Sequence, residues 1–341
     1  MENTCCIRLA LIVAAGVLFA VGLGVGPART AEAVKLGIIG TTSNAGAYIA
    51  KERGYFAAEG LDVSFVKFDA AQPIAVATLS GDVDLGLAGV SSALYNLAIQ
   101  GSLQIVAGWS ATHPGFHTAA IIASNKTYDA GTRSMADIAG KSVALTQIGS
   151  TYHYAYAVIA AKYGVDIKTL RVLPLQSMGN VASAVTGGQA DIGVLSGPVA
   201  LPLEHRGDFK ILAWSEDEVR MQLSVAVAST RAIKTDPDRL RRILRALARG
   251  SKDYHDAFTG ADGTPQIGSD APAILALVAK NIGQSVEQLS STAGYYDDTN
   301  RLDLVDLQRQ INWFASQGML KEPFSADLIV DRQFVLPLPP S

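Results

Sequence analysis

Cysteine is almost missing from this chain: it occurs twice in 341 residues, as Cys5 and Cys6, both ahead of the first apolar run. Past those two there is no thiol, which excludes a disulfide scaffold, a cysteine nucleophile and a thiolate metal site together. An excess of charge of one sign is missing too. With 28 Lys and Arg against 31 Asp and Glu, the net charge of -3 sets up no global field for nucleic acid or an anionic membrane. Charged residues make up only 17% of the chain and hydrophobic ones 49%, which argues against disorder and leaves apolar material for more than one core.

Long hydrophobic runs are scarce, and one stands out. "LALIVAAGVLFAVGLGVG" follows Arg8, and Ala31-Glu32-Ala33 then supplies the small-x-small pattern that a signal peptidase reads. The expectation is a signal peptide over residues 1–33, cleaved near Ala33, leaving an exported chain of about 308 residues. A retained anchor competes with this, because the run approaches the length that spans a bilayer. The glycines and the Ala-x-Ala site favour export. No cysteine follows the run to take a lipid, so a freely diffusing periplasmic protein is expected.

What the chain does have is an internal repeat. "IAVATLSGDVDLGLAGVSSAL" (residues 74–94) matches "VASAVTGGQADIGVLSGPVAL" (residues 181–201) at a constant offset, so that Gly81 meets Gly188, Asp84 meets Asp191 and Gly86 meets Gly193. Each copy reads as a helix closed by glycine, a short apolar strand, and a polar loop entering another helix. Ahead of each copy lies a further matching unit, "VKLGIIG" with a helix stopped at Gly54, and "KSVALTQ" with a helix stopped at Gly164. Strand and helix alternate in both halves, which builds a mainly parallel sheet flanked by helices.

Two copies predict two lobes joined by a two-segment hinge. Lobe 1 is expected over residues 34–120 and 225–341, with lobe 2, residues 121–224, inserted into it. "HTAAIIAS" (residues 117–124) is expected to cross between lobes and "LSVAVAST" (residues 223–230) to return. The remainder is helical, opening with Asp236-Pro237 as cap and first turn and an apolar stripe of Leu240, Ile243, Leu244 and Leu247. Five arginines on that helix read as a solvated face rather than a nucleic-acid surface.

Ligands of open parallel sheets bind beyond the carboxyl ends of the strands, where loops lead into helices. Four loops qualify: Thr41-Thr42-Ser43-Asn44, Gly89-Val90-Ser91-Ser92, Gly149-Ser150-Thr151 and Ser196-Gly197-Pro198. Their small and hydroxylic residues admit a ligand close to backbone N–H groups, and a helix N-terminus adds unpaired donors and partial positive charge. Ser150, Thr151 and His153 sit where a bound oxyanion would. Helix capping explains any one such loop alone; four in equivalent places favour a site. Tyr152 and Tyr156, one turn apart, line either the cleft or the core.

The segments "IAKERGYFAAEGLDVSFVKF", "LSGDVDLGLAG", "MADIAGKSVAL", "GSTYHY" and "GGQADIGVL" together resemble exported solute-binding proteins of ABC importers of the nitrate, sulfonate and taurine type, a group similar in fold to the thiamine-pyrimidine synthases. The resemblance implies an α/β, two-lobed periplasmic-binding-protein-like fold of type II. It also implies a monomer that closes on a small-molecule solute and delivers it to an ABC permease with its ATPase. It maps the site onto Gly149, Ser150, Thr151 and His153, with Asn44, Ser91, Ser92 and Trp109 from the first lobe. Because no loop carries Lys or Arg, charge recognition falls to helix mouths, hydroxyls, and His153 or Arg220. The expected solute is a small organic anion, a sulfonate or carboxylate; the alternatives are a neutral heteroaromatic, pyrimidine-like solute held by tyrosines and Trp109, and a metal-dependent enzyme on the same fold.

The enzyme reading rests on "HPGFH", where His113 and His117 would need a helix to share a zinc ion. Pro114 and Gly115 between them favour a loop. No nucleophile elbow, phosphate loop or dinucleotide-binding glycine pattern appears in a supporting context. The expectation is therefore a binder, with no catalytic residues, no metal, no cofactor and no nucleic-acid partner.

Overall fold

Ten strands divide between two five-stranded sheets in the computed structural model, which describes residues 30–338; the apolar run and both cysteines lie outside the described residues. The first sheet has the order β2-β1-β3-β10-β4, from β1 (Glu32–Ile38), β2 (Leu61–Lys67), β3 (Leu85–Gly89), β4 (Leu103–Ala111) and β10 (Gln222–Ser229). The second has the order β7-β6-β8-β5-β9, from β5 (Ala119–Ser124), β6 (Ser142–Leu145), β7 (Arg171–Pro174), β8 (Ile192–Ser196) and β9 (Phe209–Trp214). In each sheet four strands run one way and one, β10 or β5, runs against its neighbours. This is the two-lobed, mainly parallel architecture with helices on the sheet faces.

The repeat is visible in register as well as in order. Leu36 pairs with Leu85 and Gly37 with Gly86, while Val143 pairs with Ile192 and Ala144 with Gly193, an equivalent pairing in each lobe. The helices that precede β3 and β8, Ala71–Ser80 and Met178–Thr186, occupy equivalent places. Gly54 and Gly164 take the left-handed conformation (φ 73° and 70°) just past Ala45–Glu52 and Thr151–Lys162, as closing glycines do.

The segments expected to bridge the lobes are instead interior strands, β5 and β10, each lying just after a crossing. The crossings are the loop of residues 112–118 and the stretch of residues 215–221, which includes the short helix Ser215–Glu218. Alternating apolar patterns do not separate a bridge from a strand, because both are extended.

At its start, β1 takes in Glu32 and Ala33, which pair with Leu61 and Asp62. Arg239 and Arg242 both form ion pairs with Glu32, at 2.7 and 2.5 Å. The arginines of the helix Pro237–Phe258 are thus largely clamps: Arg239 also pairs with Asp84 and Arg245 with Glu59. That helix buries Leu240, Ile243 and Leu247 as its apolar stripe predicts, and Asp236 caps it by accepting the N–H of Arg239.

Gly250, on the same helix, fixes the site from below. A β-carbon there would lie 2.0 Å from the carbonyl oxygen of Gly46. Only a glycine lets the helix Ala45–Glu52 lie this close, and that helix carries the first-lobe mouth of the cleft.

Candidate functional site

Between the sheets lies a cavity of about 150 Å³, with both lobes contributing to its wall. Hydrogen bonds between the lobes close around it. The N–H of Ser92 donates to the carbonyl of Gly149 at 2.9 Å, the hydroxyl of Thr151 to the carbonyl of Val90 at 2.7 Å, and the amide of Gln147 to the side-chain carbonyl of Gln72 at 3.3 Å.

The first-lobe loop of residues 41–44 ends in one 3-10 turn, Thr42–Asn44, that feeds the helix Ala45–Glu52. Thr42, Ser43 and Asn44 line the cavity, with Thr41. The loop is held from within: Asn44 Oδ1 accepts the N–H of Gly40 at 3.2 Å, and the Thr41 and Ser43 hydroxyls lie 2.7 Å apart. Trp109 supports it from behind. Its indole N–H donates to the carbonyl of Ser43 at 2.7 Å, and its ring meets Tyr296 edge to face. Trp109 is 2% exposed and does not line the cavity.

Ser91 and Ser92 do not line it either. Ser91 is buried and caps the helix Ser92–Ile99 by accepting the N–H of Leu94, while Ser92 makes the interlobe bond to Gly149. Gly149 takes φ 73°, and a β-carbon on it would sit 2.1 Å from the Ser92 hydroxyl, so glycine is what permits that contact.

On the second lobe Ser150, Thr151 and Ser196 reach the cavity. Ser150 caps the helix Thr151–Lys162, accepting the N–H of His153. His153 itself lies behind the loop, 7% exposed, with Nδ1 accepting the N–H of Gly149 at 3.0 Å. Burial depresses its pKa, so it stays neutral with the proton on Nε2 and supplies no positive charge. Pro198 is buried in the first turn of the helix Gly197–His205, outside the lining, and Arg220 is exposed away from it. Of the two tyrosines, Tyr152 faces the cavity, whereas Tyr156 is in the core and donates to the carbonyl of Gly193 at 2.9 Å.

Further lining comes from places sequence reasoning passed over. Asp69, Ala70 and Ala71 open the helix Ala71–Ser80, and Met178 opens its repeat equivalent. Carrying the internal repeat to the second strand–helix loop of each lobe would have found them, since those loops end at the same edge of the sheet. Ser110, Thr118, Leu223 and Ser224 come from the hinge strands and their flanks, where nothing in the local sequence marks a ligand wall.

Among the described residues Asp69 is the sole charged side chain in the lining, and no Lys, Arg or His contributes. A second carboxyl stands just behind the wall. Glu216, on the returning crossing, is 1% exposed and accepts the hydroxyl proton of Thr118; burial pushes its pKa up to about 7. The hydroxyls of Ser110 and Ser224 are 2.5 Å apart, so one donates to the other and the second hydroxyl proton stays available to the cavity.

His113 and His117 face different partners. His113 stacks on Tyr295, while His117 stacks on Trp214 and bonds Asp217 at 2.9 Å. Among the described residues no group of three or more His, Cys, Asp and Glu is placed to hold a metal ion.

A family model described as "NMT1/THI5 like" matches residues 41–257. No curated protein matches the chain in sequence. Similar solved structures include the alkanesulfonate-binding protein SsuA from Xanthomonas axonopodis pv. citri bound to MOPS (20% identity, 88% of this chain and 98% of that one, TM-score 0.71). The periplasmic aliphatic sulphonate binding protein SsuA from Escherichia coli is another (17% identity, 89% and 98%, TM-score 0.68). The periplasmic nitrate-binding protein NrtA from Synechocystis PCC 6803 is a third (15% identity, 88% and 86%, TM-score 0.66). At these identities the likeness is one of fold.

Proposed function

The chain belongs to the NMT1/THI5-like family, and from that premise we propose that it is the exported solute-binding component of an ABC importer, capturing one small organic solute between its lobes. The observation that carries this reading is the closed cavity: helix mouths from both lobes border one space, and both lobes contribute hydrogen bonds across it. Binding energy shared by two bodies that are joined by two crossings drives closure, and a permease would read the closed form. In this reading the inserted body is residues 121–224, the signal peptide directs the chain to the periplasm, and the protein acts as a monomer.

The preferred solute is a small sulfonate or carboxylate. Its charged end would sit at the mouths of the helices Ala45–Glu52 and Thr151–Lys162, where first-turn N–H groups lack intrahelical partners. Thr42, Ser43, Asn44, Ser150, Thr151 and Ser196 are the side chains in reach, with Ser91, Ser92, Trp109, Gly149, His153 and Pro198 shaping the loops behind them. A neutral heteroaromatic solute is the second reading. It is favoured by the lack, among the described residues, of any cationic side chain in the lining and by the ring of Tyr152.

The decisive experiment is mass spectrometry of the solute released when the purified protein is denatured, followed by calorimetry with that compound. A single compound bound with one-to-one stoichiometry and recovered unchanged supports capture. Conversion of the compound to a product would replace the reading with an enzymatic one.

A further inference from the structure

A threonine hydroxyl has one proton and two lone pairs, so where the proton goes fixes what the oxygen offers its other neighbours. Two cavity-lining threonines direct their protons away from the cavity. Thr118 donates to Oε1 of Glu216, and Thr151 donates to the carbonyl of Val90 at 2.7 Å, with the carbonyl of Leu223 at 3.3 Å as a second acceptor. Both oxygens have only lone pairs left for a bound solute. Among the described residues the lining adds no cationic donor, and Asp69 is another acceptor; the one hydroxyl proton left over on the hinge flank belongs to the Ser110–Ser224 pair.

Glu216 enforces this at the hinge. Its Oε2 faces the backbone N–H of Ala119 at 3.4 Å and its Oε1 faces the Thr118 hydroxyl, so its oxygens receive donors from the end of the outgoing crossing and from the first residue of β5. Glu216 belongs to the returning crossing and is sealed from water. It touches no cavity surface, and it acts through Thr118 as a positioning residue.

We propose that the Thr118 position on the hinge side of the cavity is a hydrogen-bond-accepting point whose polarity Glu216 sets, and that the solute therefore presents an N–H or O–H donor to it. This rests on the reading of the cavity as a solute site, and it holds whether the other end is an anion at the helix mouths or a neutral ring.

Replacing Glu216 by glutamine inverts the arrangement. The N–H of Ala119 still requires an acceptor, so the new amide turns its oxygen there and its NH₂ toward Thr118, which becomes the recipient and is free to point its own proton into the cavity. Matched probes read the change: nicotinamide against 3-acetylpyridine, and 3-aminopropanesulfonate against butanesulfonate, by calorimetry at about pH 8.5, where Glu216 is ionised. The expected result is a preference of about tenfold for the donor-bearing member in the natural protein, falling to parity or reversing in Glu216→Gln. The isosteric Thr118→Val, which removes the accepting oxygen, carries the same expectation of parity and serves if Glu216→Gln does not fold.

Equal affinity for both members of a pair in the natural protein overturns the proposal, as does a preference unchanged in the variants. If neither pair binds, the solute released on denaturation decides. One with an N–H or O–H supports the proposal; one lacking both overturns it and leaves solute capture standing. A protein that retains no solute and binds none sinks both.

Discussion

Asp191 accepts the backbone N–H of Ser142 at 2.7 Å, joining the end of one turn to the first residue of β6. The equivalent pair in the other lobe does the same thing, with Asp84 accepting the N–H of Lys35 at 2.7 Å. The matching aspartates of the repeat are therefore strand-end fasteners, placed at the starts of β1 and β6 and outside the cavity lining. Both hold the strand whose far end leads into a cavity loop.

Asp191 also accepts the hydroxyls of Ser142 and Thr127, at 2.7 and 2.8 Å. Desolvation raises its pKa, but these bonds outweigh it and leave the carboxyl below its ordinary range. Asp191→Ala strands three donors and is expected to cost about 2 kcal/mol, read as a lower urea midpoint with an unchanged slope. A depressed carboxyl contributes stability above its unfolded pKa, and that part disappears as pH falls through the folded one. The penalty should accordingly shrink in acid. A penalty that stays constant down to about pH 3 would show that the carboxylate's charge is not what matters.

Two other carboxyls act with the opposite sign. Burial pushes Glu216 up to about 7 and Asp306 up to about 6, although both accept hydrogen bonds that pull the other way. Their folded forms hold protons that the unfolded chain has already released. The stability they contribute is full below the ordinary carboxylate range and is lost as pH rises through about 6 and 7. The thermal midpoint should be higher at about pH 5 than at about pH 8, and Asp306→Asn should flatten that slope. A midpoint that rises steadily across this window would contradict the assignment.

Much of this architecture can be read from the residues. The repeat, the closing glycines at 54 and 164 and the Asp236 cap all carry local chemistry that survives into the fold. So does the location of the cavity, because helix mouths are marked by Ser, Thr and Gly at strand ends. What side chains do there is less legible. Ser91 and Trp109 have the residue types of a binding site, yet one caps a helix and the other braces a loop. A hydroxyl or an indole N–H is satisfied equally by a ligand or by the nearest carbonyl, and only the packed structure says which is nearer. Glu216 and Thr118 lie about a hundred residues apart in sequence, so no local pattern announces their pairing.

Thr151 lines the cavity and also latches it, through the carbonyl of Val90 in the other lobe. Thr151→Val keeps the shape and removes the bond, so it should leave the folded lobes intact while shifting the unliganded protein toward an open form. Small-angle scattering should then show a larger radius of gyration without solute. Affinity for the co-purifying solute should fall about tenfold, the loss of one neutral hydrogen bond. An unchanged radius together with unchanged affinity would mean that the bond is incidental to closure.

Gly250 offers a test of how packing far from the cavity governs it. A β-carbon at this position would meet the Gly46 carbonyl oxygen at 2.0 Å and the Ala50 nitrogen at 2.9 Å, both backbone atoms that cannot rotate aside. Gly250→Ala must therefore move the helix Ala45–Glu52 away from Pro237–Phe258. Overpacking of this kind costs about 1–3 kcal/mol and sometimes more. The displaced helix begins directly after Thr42, Ser43 and Asn44, so its mouth moves with it. The variant should lose affinity for the bound solute beyond what its lowered stability explains, when measured at a temperature where it remains fully folded. Gly46→Ala presses the same contact from the other side, toward Ser251 and Trp109. Trp109 is the residue that braces Ser43, so the two single variants should reduce binding alike and the double variant should reduce it by less than their sum. If Gly250→Ala binds normally, the position of that helix is not what shapes the first-lobe half of the cavity.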